Sequence, residues 1–204
     1  MPYGYLGTKA DQTIENFGVF SINDVADLVK QGKLGGSLKL IEEQTVTGSV
    51  SAVDFINLPS NYEVLLLQVN GLNADSSKNP RIQFSNNNGS SFIASGYKQA
   101  HKYLQADGSY SEQRSSSRSD IALDLTISTT TKTSHLYIYL YNFSKSSEYS
   151  YINIHSIANA SNNIVGSIWG GGVLPTAEVH NAIRILISSG DISGNFKLFG
   201  VKEI

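Results

Sequence analysis

From residue 38 onward the chain is a succession of segments in which apolar side chains recur at every second position, and this rhythm restricts it to β-structure. The clearest instance is 121–128, where Ile121, Leu123, Leu125 and Ile127 fall on one side and Asp120, Ala122, Asp124 and Thr126 on the other. A strand turns successive side chains to opposite faces, so this spelling makes one dry and one wet face. Residues 135–142 repeat it, with Leu136, Ile138 and Leu140 against Tyr137, Tyr139 and Tyr141, and so do Ile183, Ile185 and Ile187. Further strands are expected over 38–46, 49–56, 62–72, 81–85, 151–157 and 195–201, about nine in all, with no βαβ alternation. Residues 37–204 are therefore expected to form an all-β antiparallel sandwich of jelly-roll-like type.

Turn chemistry supports that count. Asn88-Gly89 is a hairpin dipeptide between 81–85 and 91–94, and Ser189-Gly190-Asp191 and Ser193-Gly194-Asn195 bracket the last connection. Two stretches without a strand pattern read as long loops. One, over 96–118, carries Tyr97, His101, Tyr103, Tyr110, Arg114 and Arg118 among serines; the other, over 166–175, places Trp169 before Gly170-Gly171-Gly172. Loops of that length carry function or an interface. Tyr97, His101, Tyr103, Tyr110, Arg114 and Trp169 are thus the candidate ligand or subunit contacts. The Tyr137, Tyr139, Tyr141 stripe reads either as the second side of an internal strand or as a sugar platform or subunit contact.

Residues 1–36 have a different character. Ser21-Ile22-Asn23-Asp24 is a capping-box variant that opens a short amphipathic helix over 21–31. Ile22, Val25, Leu28 and Val29 form its apolar stripe, and Gly32 suits the position just past its end. A helix of roughly three turns is marginal in water. It is expected either to pack on the sandwich or to dock into another protein, with Phe17, Val19, Phe20, Val25 and Leu28 carrying the anchoring.

Composition narrows the function classes. Of 204 residues, 40% are hydrophobic and only 16% charged, so the expected surface is rich in Ser, Asn, Thr and Tyr. A net charge of −2 argues against nucleic acid, whose phosphates demand a concentrated basic face. There is no cysteine, which excludes disulfides and thiolate chemistry. No apolar run approaches the roughly 18 residues of a membrane span. Met1-Pro2-Tyr3-Gly4-Tyr5-Leu6-Gly7 lacks the blocks of a signal peptide, so a soluble protein made in a cytoplasm is expected.

Catalysis is not expected. Glu42 and Glu43 point to opposite faces of one strand, and Asp120 and Asp124 share a face expected to be solvated. There is no nucleophile elbow, zinc-binding helix or phosphate loop. His101, His135, His155 and His180 lie at no metal-ligand spacing, although His135 and His155 become neighbours if their strands pair. No metal and no cofactor are expected.

The string Phe17-Gly18-Val19-Phe20-Ser21, followed by Asp24, Leu28 and Gly32-Lys33-Leu34, resembles the short attachment segment of many tailed-bacteriophage virion proteins. The join from Ser37 to Val46 also resembles phage appendage sandwiches. So does the close, which runs from Ile183-Arg184-Ile185 through Ser188-Ser189-Gly190 to Phe196 and Leu198-Phe199-Gly200. The resemblance implies a virion structural protein made in a bacterial cytoplasm. Residues 1–36 would join other virion proteins, and the sandwich at 37–204 would form the head of a tail fibre or tail-associated adhesin. It implies a homo-oligomer, trimeric in many such appendages, and a host surface glycan as an outside partner. A capsid decoration or head-fibre protein and a free-standing carbohydrate-binding module remain the alternatives.

Overall fold

The computed structural model describes residues 22–23, 26–27, 37–123, 133–159 and 164–202. The chain divides into two units, Met1–Leu38 and Lys39–Ile204. In the first, Ile22, Asn23, Ala26 and Asp27 are helical, inside the expected helix over 21–31. The anchoring candidates Phe17, Val19, Phe20, Val25 and Leu28 lie outside the described residues.

The second unit is all β. Its strands are β1 (Leu38–Val50), β2 (Ala52–Phe55), β3 (Val64–Ala74), β4 (Pro80–Ser85), β5 (Tyr97–Gln105), β6 (Tyr110–Arg118), β7 (Ile121–Ala122), β8 (Ser134–Tyr141), β9 (Tyr149–Asn159), β10 (Val165–Ala177), β11 (Ala182–Ile187) and β12 (Ile192–Val201). They make an eight-stranded sheet in the order β1-β12-β3-β8-β9-β10-β5-β6 and a four-stranded sheet in the order β2-β11-β4-β7. The pairings whose register is defined are antiparallel.

The core lies between the sheets, and the alternating residues supply it. Val53, Phe55, Ile82, Phe84, Ile183 and Ile185 come from the four-stranded sheet, and Leu65, Leu67, Leu136, Ile138, Phe196 and Leu198 from the other; all are buried. Each such side chain contributes about 1.5–3 kcal/mol by leaving water. At one corner Phe84 meets Tyr97 and Phe143 edge-on, with ring centroids 5.2 and 4.7 Å away. Geometry of this kind adds about 0.5–1.5 kcal/mol per pair beyond area.

Several expectations are corrected here. The stretch over 96–118 is a hairpin, β5 and β6, and 166–175 lies inside the thirteen-residue strand β10. Trp169 is therefore a strand residue. Asn88 and Gly89 do form the turn, with φ of 58° and 82°, but 91–94 is no strand, and only Ile93 N–H returns to Phe84 O at 2.9 Å. Ser193-Gly194-Asn195 sits at a register shift within β12 rather than in a loop. Asp120 is buried, not solvated: Arg81 Nη1 lies 3.0 Å and Arg118 Nη2 2.9 Å from its oxygens, and Ser119 Oγ donates to it at 2.8 Å. Burial alone would raise its pKa, but the bonds from Arg118 and Ser119 and the two cationic charges outweigh that and hold it low. Asp124 lies outside the described residues.

Candidate functional site

Past β8 the wide sheet continues through β9, β10, β5 and β6, and strand alternation splits these strands into a buried and an open face. On β5 the buried face takes Tyr97, Gln99, His101 and Tyr103. Tyr97 accepts a hydrogen bond from Phe84 N–H at 2.7 Å and belongs to the core. Tyr103 Oη and Gln99 Nε2 both donate to Gln113 Oε1, at 2.9 and 3.1 Å, while Gln99 Oε1 accepts from Ala122 N–H at 3.0 Å. Burial, helped by the charge of Arg118, pushes the His101 pKa down to about 4, so the ring is neutral at ordinary pH. Tyr97, His101 and Tyr103 are thus structural, contrary to their expected role as ligand contacts.

The other three candidates lie on the open face, as does the tyrosine stripe. Trp169 is 44% exposed and Tyr110 55%, and Arg114 is exposed. Tyr137 and Tyr139 are 47% and 40% exposed, so they do not fill the second side of an internal strand. Tyr151, Asn153 and His155 of β9 join them. His135 and His155 do lie on adjacent strands, offset by two residues, because His155 pairs with Tyr137 and His135 with Ile157.

The register assembles these residues into rows across the strands. One row runs Tyr137, His155, Trp169, Lys102, Glu112 from β8 to β6. A second, four residues away along the strands, runs Tyr141, Tyr151, Val173, Lys98. Between them lies a row of mostly small side chains, Tyr139, Asn153, Gly171, Ala100, Arg114. The result is a trough that crosses the strands, with Asn153, Gly171 and Ala100 as floor, aromatic and cationic residues as walls, and Tyr139 and Arg114 at its ends. Strand geometry makes it about 13 Å from wall to wall and about 19 Å from end to end. A depression of about 420 Å³, lined among others by Lys98, Ala100, Tyr151, Gly171 and Val173, occupies part of it.

The bare floor follows from backbone packing. A Cβ at Gly171 would stand 2.3 Å from Ile152 O, and one at Gly170, which faces the buried side beside His101, would stand 2.2 Å from Ala100 O. Only glycine lets β10 pass that close to β9 and β5. Lys102 and Glu112 approach to 3.3 Å on the wall, which leaves Lys98 and Arg114 as further positive charge beside one carboxylate. Lys98, Ala100, Tyr151 and Asn153 were not legible as site residues; exposed Lys, Ala and Asn carry no signature until the pairing register is known.

One other constellation has the order nucleophile, base, carboxylate. Ser150 Oγ is 2.7 Å from His180 Nδ1, and His180 Nε2 is 3.3 Å from Glu178 Oε1. Ser150 and His180 are only 0% and 1% exposed, and the imidazole packs against Phe84 and Phe143. Burial lowers the His180 pKa despite Glu178. Among the described residues no group of three or more His, Asp or Glu is placed to hold a metal ion, and no helix is long and apolar enough to cross a membrane.

Comparison with known proteins returns no matching family model, no matching curated protein and no matching solved structure.

Proposed function

We propose that this chain is a structural protein of a tailed-bacteriophage particle, a tail fibre or tail-associated adhesin. Residues 1–36 attach it to other virion proteins, and its sandwich presents a recognition face to the host surface. The proposed frame of the sandwich is a jelly roll. With β5, β6, β9 and β10 set aside, the remaining strands number consecutively from first to eighth, and the sheets read 1-8-3-6 and 2-7-4-5. That is the order of two interlocked Greek keys.

The observation that carries the reading is the open face of β8, β9 and β10. Tyr137, Tyr139, Tyr149, Tyr151 and Trp169 each leave 40–47% of their surface in water on one side of one sheet. A contiguous aromatic face of this kind marks a binding surface, since the rings offer apolar area and a polar tip. The particle context comes from the resemblance of 17–34 and of the closing strands to virion proteins. Under this reading the Ser150–His180–Glu178 contact has no catalytic part, and the protein is not an enzyme.

Immunogold microscopy of purified particles, with antibodies raised against the full chain, tests the proposal. Label on the tail is the expected result, and label on the shell would make the chain a decoration or head-fibre protein instead. Particles that carry no label would remove the virion role altogether.

A further inference from the structure

We propose that the trough binds a linear acidic oligosaccharide laid across the strands. The inference rests on the reading of the open face as the recognition surface, and it names the ligand. Shape restricts the occupant first. A channel about 13 Å wide, about 19 Å long and open along its top takes an extended chain of rings. The depression along its Tyr151–Val173–Lys98 wall, about 420 Å³, falls in the range of small-ligand sites.

Chemistry restricts it further. Pyranose rings carry apolar C–H faces that stack on aromatic rings, and Tyr151 and Trp169 stand on opposite walls, 44% exposed each. Their hydroxyls require donors and acceptors along the path, and Asn153 supplies both at mid-floor, with His155 on the wall beside Trp169. A purely apolar partner would leave these groups unpaired.

Charge decides between neutral and acidic sugars. Lys98 and Lys102 border the walls and Arg114 closes one end, against the single carboxylate of Glu112, in a chain whose overall charge is −2. This concentration of positive charge complements carboxylates spaced along a sugar chain. Arg114 in particular can take one in a bidentate fork.

The experiment is calorimetric titration of the full chain with tetramers of galacturonate, mannuronate and α2,8-linked sialic acid, and with methyl-esterified galacturonate tetramer as the neutral counterpart. Saturable binding of at least one acidic tetramer is expected, at least tenfold tighter than the esterified chain and weakened by salt. Trp169→Ala should weaken it tenfold or more. Ala100→Leu, which adds bulk to an exposed floor position, should do the same with an unchanged melting temperature. Arg114→Glu should abolish the preference for the acidic chain, while Tyr149→Ala, on the same face but outside the trough, should leave binding intact.

Failure of all three acidic tetramers to bind would overturn the proposal. So would equal binding of the esterified chain, or self-association of the wild type that Trp169→Ala dissolves, which would make the occupant a second copy. A chain that labels particles yet binds no tetramer loses only this inference. A chain that binds as expected yet labels no particle keeps the site and loses the virion role.

Discussion

Replacing Tyr97 with Phe deletes one oxygen atom in the core, and the structure says what that oxygen does. β4 lies between β11 and β7, but its pairing with β7 covers only Arg81 and Ile82. Beyond Ile82 that edge of β4 has no strand beside it, and the N–H of Phe84 donates instead to Tyr97 Oη at 2.7 Å. Both side chains are 0% exposed, so water has no route to replace the acceptor. A buried donor left without a partner costs about 1–3 kcal/mol, offset in part because the phenol no longer has to be desolvated. The net expectation is a loss of about 1–2 kcal/mol, or about 2–8 °C in melting temperature for a chain of this size. Urea unfolding at pH 7 measures it. The pH dependence supplies a second test. Burial raises the Tyr97 pKa well above its ordinary value, more than the Phe84 bond lowers it. The unfolded phenol ionises near pH 10, so above that pH the unfolded chain releases a proton that the folded chain keeps. Wild-type stability must therefore fall with rising pH through a contribution that Tyr97→Phe lacks, and the gap between the two must narrow above pH 10. A variant as stable as wild type at pH 7, or a gap that widens in alkali, would refute the account.

Asp120→Asn removes the charge that holds Arg81 and Arg118. Breaking a buried pair costs about 3–5 kcal/mol, but these arginine side chains are 27% and 24% exposed, so about 2–3 kcal/mol is expected by urea unfolding. Because the folded carboxyl titrates below its usual range, this contribution is present above about pH 4 and lost as pH falls through the lower folded value, where variant and wild type should converge. His101 and His180 act in a higher window. Both are held below their ordinary pKa by burial, His101 at about 4, so the unfolded chain takes up protons first, and stability should fall as pH drops below about 6.5. Thermal melts of His101→Gln should show a shallower acid slope than wild type. Arg184 and Asp54 form a bidentate pair at 2.7 Å, but their side chains are 35% and 32% exposed, so Arg184→Met should cost no more than about 1 kcal/mol in the same urea assay.

The strands that spell their burial were legible, and those whose inward residues are polar were not. Ile183, Ile185 and Ile187 announce β11 through their alternation, and the residues of β8 do the same. β5 also alternates, but its inward set is Tyr97, Gln99, His101 and Tyr103, and Gln99 and Tyr103 are held there by the Gln113 and Ala122 bonds rather than by hydrophobicity. β6 is an edge strand, largely exposed and rich in serine, so it has no dry face to spell. In β10 the run Gly170-Gly171-Gly172 has the composition of a loop, yet a Cβ at Gly172 would meet Ile121 at 2.7 Å, so the glycines mark close packing. The same blind spot split the candidate site. Trp169, Tyr110 and Arg114 stood out by residue type, whereas Asn153 and Ala100 became part of a site only through the register that sets them beside Gly171.

The strands that were hard to read are also the ones that build the trough. In the proposed jelly-roll frame, β5–β6 and β9–β10 are two insertions that join the wide sheet past β8, and they do so in the order β9, β10, β5, β6. The placement puts a strand with a bare stretch, β10, between two strands with large outward side chains. The depth of the trough is then inherited from strand packing, because the contact at Gly171 that forbids a Cβ is with the backbone of β9. Its walls carry no such obligation: Trp169, Tyr151, Lys98 and Lys102 are exposed, and substitutions there are expected to move stability by no more than about 0.5 kcal/mol. Floor and walls therefore answer to different constraints. The floor is fixed by the fold, while the walls can change at little cost to the core, which is what the proposed recognition of host sugars would require.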